Sequence, residues 1–302
     1  MFLQHFADGI LTGSIISLGA IGLSLTMRIL KFANFSHSEL LTWGAYASVI
    51  FLGFFSVLGG ALGEPIGPFS FGLPLILAVI FSGLLTAALA LLLDWLVYGR
   101  MRNTAAPMTL VFASFGVALL VRNFLLIGFG PDPYYYSSEL QIATRLPGGV
   151  RVQADQVFVL GVTIVVVIFL HLFLTRTRTG IAMRATAENT ALSQVSGVNV
   201  EAIVRWTWII GGVCAAVAGT LYGLTVQIRP ELGFSLILPL FAAAILGGTG
   251  SMFGAVIGGL IVGLSENLSV MVIPASYKPS VPFLLILVIL YLRPQGLFGE
   301  RQ

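Results

Sequence analysis

Charge is what this 302-residue sequence has least of: 9% of its residues are charged and 57% are hydrophobic, and its lysines are Lys31 and Lys278 alone. A soluble domain carries about 25% charged residues, so the chain cannot coat a water-facing globule of this length. The single cysteine, Cys214, excludes an intramolecular disulfide and, set in an apolar segment, reads as a small packing residue. The two lysines follow Leu and Tyr, which excludes the Gly-Lys-Ser/Thr ending of a P-loop and with it ATP hydrolysis of that kind by this chain. The three histidines, His5, His37 and His171, are too far apart for a helical metal pair, so no metal site is expected. No G-x-S-x-G nucleophile motif occurs, and beyond Asp8 at the very start of the first apolar run Asp94 is the one aspartate inside an apolar segment, so no catalytic residues are assigned. A net charge of +3, dispersed along the chain, excludes a basic nucleic-acid surface.

What is present is apolar sequence in long runs. Segments near 7–27, 36–55, 72–97, 105–128, 156–174, 205–228, 232–248, 250–272 and 280–293 give about nine candidate membrane spans. The expected fold is therefore all-α, a polytopic bundle of about 8–9 spans in a lipid bilayer, with residues 1–302 forming one membrane domain. The start, MFLQHFADG, has no basic region before its apolar run and reads as a first membrane helix rather than a cleaved signal. Under strict alternation, Arg28, Lys31, Arg100, Arg102, Arg176, Arg178, Arg184, Arg205, Arg293 and Arg301 share one side. Arg122, Arg145, Arg151, Arg229 and Lys278 fall on the other. The positive-inside rule then puts the N-terminus outside and the C-terminus in the cytoplasm.

Glycine, at 35 residues, is abundant. Gly250, Gly254 and Gly258 recur every four residues, as do Gly259 with Gly263 and Gly9 with Gly13, a spacing that lets helices cross closely. Gly247, Gly248 and Gly250, within Leu246-Gly247-Gly248-Thr249-Gly250-Ser251, mark a tight turn. The flanking pair 232–272 either spans fully or forms a re-entrant hairpin. Residues 12–24 weakly echo 249–265. In the outer loop 129–155, Tyr134-Tyr135-Tyr136 reads as an interfacial belt, with substrate gating as the other reading.

The longest inner loop, 175–205, is too structured for a passive connection. Helix formers and an apolar stripe of Ala187, Ala191, Leu192 and Val195 predict a helix between Gly180 and Gly197, with Gly197 ending it and Asn199 capping the next helix. It either lies on the headgroups or docks a cytoplasmic partner.

Ionisable groups inside spans are Glu39, Asp94, Arg122 and Glu266, and each belongs in the bundle interior, a cavity or an interface. Asp94 and Arg122 are near span ends and read as snorkelling. Glu266-Asn267, on a small-residue helix, faces a cavity. The densest polar cluster is Asn34-Phe35-Ser36-His37-Ser38-Glu39. Ser36-x-x-Glu39 has the form of a capping box, which leaves Asn34 and His37 without a capping role. Interrupted helices in transporters point their positive ends at substrate, so Asn34, Ser36, His37, Ser38, Glu39, Glu266 and Asn267 are the candidate pathway residues.

Three blocks carry a family resemblance. The first runs from Gly13-Ser14 to Asn34-Phe35-Ser36-His37-Ser38-Glu39-Leu40 and Gly44-Ala45-Tyr46. The second is Gly180-Ile181-Ala182-Met183-Arg184-Ala185-Thr186-Ala187-Glu188-Asn189 with Ser196-Gly197-Val198-Asn199. The third is Leu246 to Ala255. Together they resemble the permeases of branched-chain amino-acid ABC importers, a family that includes urea and short-amide permeases. Ser36 and Ser38 stand where Ala and Gly are usual, and Ile181 where Arg is common. The resemblance implies a permease subunit in the bacterial cytoplasmic (inner) membrane, translocating branched-chain or related amino acids. Urea or short amides are the alternative cargo, and ion-coupled secondary transport a more remote alternative. It implies as partners a second permease subunit, homologous or identical, an extracytoplasmic substrate-binding protein and two cytoplasmic ATPases. The ATPases would bind ATP and Mg²⁺, which need no site in this chain, and would couple through Arg184, Ala187, Glu188, Ala191, Leu192, Val195 and Gly197.

Overall fold

The computed structural model describes residues 1–59, 64–102, 104–137, 143–145 and 149–299; Arg301 lies outside them. The first helices are α1 (Phe2–Leu30), α2 (Ser36–Gly59) and α3 (Leu73–Leu93), the last running through a π-helical turn, Asp94–Tyr98, into α4 (Gly99–Met101). Next come α5 (Pro107–Phe129), α6 (Ala154–Arg176), α7 (Arg178–Glu188) and α8 (Thr190–Val195). The remainder is α9 (Val200–Thr225), α10 (Leu232–Gly247), α11 (Met252–Ser269) and α12 (Ser280–Leu292). A two-stranded hairpin, Thr144–Arg145 with Arg151–Val152, lies between α5 and α6.

The expected all-α membrane bundle is what these residues build. Among the described residues, 7 helical stretches are long and apolar enough to cross a membrane: α1, α2, α3 through α4, α5, α6, α9 and α11. The remaining two apolar helices are shorter. α10 has 16 residues and α12 has 13, about 24 and 20 Å at 1.5 Å per residue against a hydrocarbon core of ~30 Å.

Small residues decide which helices sit at the centre. α1 is the most enclosed span and α6 the least, its Ile164, Val165, Ile168, Phe169 and Leu172 left facing outward. α1 and α11 cross through the glycines singled out in the sequence. A Cβ on Gly13 would lie 2.8 Å from the Leu260 Cα, one on Gly9 2.9 Å from the Leu264 Cα, and one on Gly263 would strike the Gly13 backbone. Gly254 and Gly258 use another face of α11, against Gly247 and Ala243 of α10. The two stretches that echo one another in sequence, near 12–24 and 249–265, therefore pack against each other. Cys214 is buried among apolar side chains, as expected.

The turn between α10 and α11 forms as anticipated. Gly248 (φ 95°) and Gly250 (φ 91°) adopt left-handed backbone, which L side chains reach only with strain, and the Ser251 side chain caps α11 by accepting from the Gly254 N–H at 3.0 Å. The turn lies inside the bundle rather than beyond it. The Gly250 N–H donates to Ser24 Oγ at 2.7 Å, and Ser24 is six residues short of the end of α1, about 9 Å along that helix.

Candidate functional site

The polar cluster at 34–39 begins α2 deep in the bundle. The His37 Nε2 is 3.1 Å from the Gly19 carbonyl, and Gly19 is eleven residues before Leu30, about 16 Å from that end of α1. The chain thus leaves α1, turns back at Lys31, whose φ of 57° is left-handed, and restarts as a helix near mid-depth. Asn34, Ser36, His37, Ser38 and Glu39 are all buried, at 0–3% exposure.

The capping box expected of Ser36 and Glu39 does not form. The side chain that caps α2 is Asn34, whose Oδ1 accepts from the Ser36 N–H at 3.2 Å and from Ser36 Oγ at 2.7 Å. Asparagine is among the strongest caps because its short carbonyl reaches back to the first free amides. The Ser36-x-x-Glu39 pattern places the cap two residues too late. Ser36 Oγ instead joins the Tyr98 hydroxyl at 2.8 Å, and the Phe35 N–H donates to Ser114 Oγ at 3.1 Å. These partners, Tyr98 beyond α3 and Ser114 on α5, had no local signal in the sequence. Asn34 Nδ2 and His37 Nδ1 are buried with no hydrogen-bond partner among the described residues. Phe35 packs on Phe241 with centroids 4.8 Å apart and rings tilted by 33°, and lies edge-on to Phe115 at 6.1 Å.

Among the described residues, the Glu39 carboxylate accepts a long 3.4 Å contact from the Thr42 hydroxyl. That hydroxyl also accepts from the Gly233 N–H at 2.7 Å, which ties α2 to the first turn of α10. Arg122 pairs with Glu231 at 3.5 Å and lies over the Phe234 ring at 5.2 Å. Asp94 likewise pairs with Arg102.

Glu266 and Asn267 are not brought to this cluster. Asn267 Nδ2 donates to the Gly263 carbonyl at 2.8 Å and its Oδ1 accepts from Lys278 Nζ at 3.0 Å. Their turn of α11 lies level with Gly9 of α1, ten residues or about 15 Å from Gly19. The tyrosines of the outer loop are divided. Tyr135 is exposed, but Tyr134 bridges backbone to backbone with Ile228, and the Tyr136 hydroxyl donates to the Ala45 carbonyl at 2.9 Å.

The loop 175–205 is a helical hairpin, as expected, but not one helix. Asn189 breaks it into α7 and α8 and caps the second, accepting from the Leu192 N–H at 2.9 Å. Gly197 (φ 86°) ends α8, with the Val198 N–H returning to the Ser193 carbonyl at 2.9 Å, and Asn199 caps α9 at 3.1 Å. The face turned to the protein is Gly180, Met183 and Thr186 rather than the apolar stripe. Leu192 is 63% and Val195 88% exposed, with Arg184, Glu188 and Ala191 also outward and Ala187 half-buried. Beside α7 opens a cleft of about 1030 Å³, reached by Arg28, Arg184, Glu188, Gly250 and Gln295.

The chain was compared with known proteins. A family model described as the permease component of the branched-chain amino acid transport system matches residues 6–290. The high-affinity branched-chain amino acid transport system permease protein BraD of Pseudomonas aeruginosa is 30% identical, over 99% of this chain and 96% of that protein. LivH of Escherichia coli, of the same description, is also 30% identical, over 99% of this chain and 96% of its own length. A probable branched-chain amino acid transport permease of Methanocaldococcus jannaschii is 36% identical over 46% of each chain.

Proposed function

The chain belongs to the branched-chain amino-acid transport permease family, and from that footing we propose that it carries branched-chain or related amino acids as the permease subunit of a binding-protein-dependent ABC importer. It is a multi-pass membrane protein. It sits in a bacterial cytoplasmic membrane with the N-terminus outside and the C-terminus within, the orientation that puts the majority of its arginines in the cytoplasm. A second permease subunit completes the passage, an extracytoplasmic binding protein delivers cargo, and two ATPases supply the energy, holding ATP and Mg²⁺ themselves.

The observation that carries this reading is the α7–α8 hairpin. Large apolar side chains held outward on an ordered element mark an interaction surface, and Leu192 and Val195 stand on such an element between two membrane helices. The ATPases dock there, and their closure moves α7 as a lever hinged at Gly180, where a Cβ would lie 2.5 Å from the Leu174 Cα. The lever's movement parts the Phe35–Phe241 pair and opens the start of α2. There Asn34, Ser36, His37 and Ser38 present polar groups at mid-depth, and the Glu39 carboxylate offers a partner for the ammonium of an amino acid. Glu266 and Asn267 stand at the outer approach.

Leucine uptake into proteoliposomes tests this. Uptake requires the binding protein, both ATPases and ATP, and excess isoleucine suppresses it while urea and acetamide do not. Uptake without the ATPases, driven by an ion gradient, defeats the importer reading; suppression by urea or acetamide alone replaces the cargo.

A further inference from the structure

A lever on the cytoplasmic side moves cargo only if something connects it to the helices around the path. α7 packs chiefly on α6, a peripheral helix, and touches α9 and α1 less, whereas the start of α2 is held by α1, α5 and α10. Among the described residues a single ion pair joins α7 to the rest of the bundle: Arg28 Nη2, in the last turn of α1, is 4.0 Å from Glu188 Oε1 at the end of α7.

The same guanidinium grips the turn between α10 and α11. Arg28 Nη1 donates to the Gly250 carbonyl at 2.9 Å, while the Gly250 N–H is taken by Ser24 one turn earlier on α1. Both backbone polar groups of Gly250 are therefore held by side chains of α1. The aliphatic stem of Arg28 lies so close that a Cβ on Gly250 would stand 2.8 Å from the Arg28 Cβ and nearer still to the atoms beyond it. At its far end α10 reaches the path, where the Gly233 N–H binds Thr42, the residue that holds Glu39.

We propose that Arg28 is a positioning residue that passes the displacement of α7 to the α10–α11 turn, and through α10 to the start of α2. Its two contacts divide the work. The Gly250 bond is partly buried and fixed, so Arg28 moves with the turn. The Glu188 contact is exposed, and surface ion pairs of this kind contribute little, so it can be made and broken with each stroke. A planar guanidinium serves both partners at once because its donors diverge from one rigid fork.

The inference rests on the importer reading, and the assay separates the two. In proteoliposomes holding the complete transporter, leucine uptake and ATP hydrolysis are measured together for wild type, Arg28→Gln, Arg28→Lys, Glu188→Gln and the Arg28→Gln/Glu188→Gln double variant. Arg28→Gln is expected to retain the ATPases on co-purification and to hydrolyse ATP while leucine carried per ATP falls at least about fivefold, the lower end of ordinary coupling between sites. Arg28→Lys keeps the charge and one donor and falls less. Glu188→Gln falls in the same direction, and the double variant falls no further than Arg28→Gln, because both changes cut one link. A docking defect would instead lower uptake and hydrolysis together and leave their ratio unchanged. A wild-type ratio in Arg28→Gln, loss of the ATPases from it, or losses that multiply in the double variant would overturn the proposal. If Arg28→Gln does not accumulate in the membrane, an unchanged ratio in Glu188→Gln overturns it alone. ATP-independent uptake by the wild type would fail the importer reading instead.

Discussion

Ser36→Ala and Tyr98→Phe, singly and together, test how the start of α2 is held. The hydroxyls of Ser36 and Tyr98 meet at 2.8 Å, both residues are fully buried, and Ser36 Oγ also reaches Asn34 Oδ1 at 2.7 Å. Ser36→Ala strands the Tyr98 hydroxyl, and an unsatisfied buried group costs about 1–3 kcal/mol, whereas Tyr98→Phe leaves Ser36 Oγ its bond to Asn34 Oδ1. Inside a membrane the measured coupling is smaller, averaging about 0.6 and reaching about 1.7 kcal/mol, because the unfolded chain also finds partners. The short contact and full burial here put the expected coupling in the upper part of that range. Ser36→Ala should therefore lose about 1–2 kcal/mol and Tyr98→Phe about 1 kcal/mol, and the double variant should lose about 1 kcal/mol less than their sum. Reversible unfolding in mixed detergent–lipid micelles at rising dodecyl sulfate, followed by tryptophan fluorescence, measures all four proteins. Losses that add within about 0.3 kcal/mol, the ordinary scatter for independent sites, would show that the two hydroxyls do not interact.

The other expectations concern packing and docking. Gly263→Leu drives a side chain into the Gly13 backbone and should cost about 3 kcal/mol or more, whereas Gly128→Ala, with open space around it, should be neutral; in-gel fluorescence of tagged protein in membranes compares them. Glu188→Arg with Ala191→Trp alters two outward positions of the hairpin and should abolish co-purification of the ATPases with membrane insertion intact. Normal co-purification would remove α7–α8 as the docking site.

The parts of this structure that sequence reveals are those written in local pattern. The spans follow from apolar length, the α10–α11 turn from glycines that tolerate left-handed backbone, and the ends of α8 and α9 from Gly197 and Asn199. Even the α1–α11 crossing shows as matched glycine spacing, because only glycine permits that approach. The candidate site was legible as a cluster but not as an arrangement. Asn34 was left without a capping role because Ser36-x-x-Glu39 has the same spacing as a true box, and only the fold shows that Ser36 is already inside the helix. The breaks at Asn189 and the pairing of Arg122 with Glu231 depend on where helices end up, not on their own composition. The apolar stripe of the hairpin predicted helix, which Asn189 divides in two, and its outward direction fits either expected role, since period alone does not say whether a face meets lipid headgroups or a partner.

The α1–α11 crossing also sets an order of events during synthesis. Ser17 Oγ is 2.9 Å from the Val256 carbonyl, 239 residues along the chain. At about 5–20 residues per second, α1 enters the bilayer roughly 10–50 s before its principal partner exists. A helix that waits so long among lipid tails needs its polar atoms settled in the meantime. Ser17 Oγ has that provision, a 2.7 Å bond to the Gly13 carbonyl one turn back on its own helix. Ser17 is thus satisfied within its own helix when the first span is made, and the bare glycine face remains the groove that the nascent chain must return to fill.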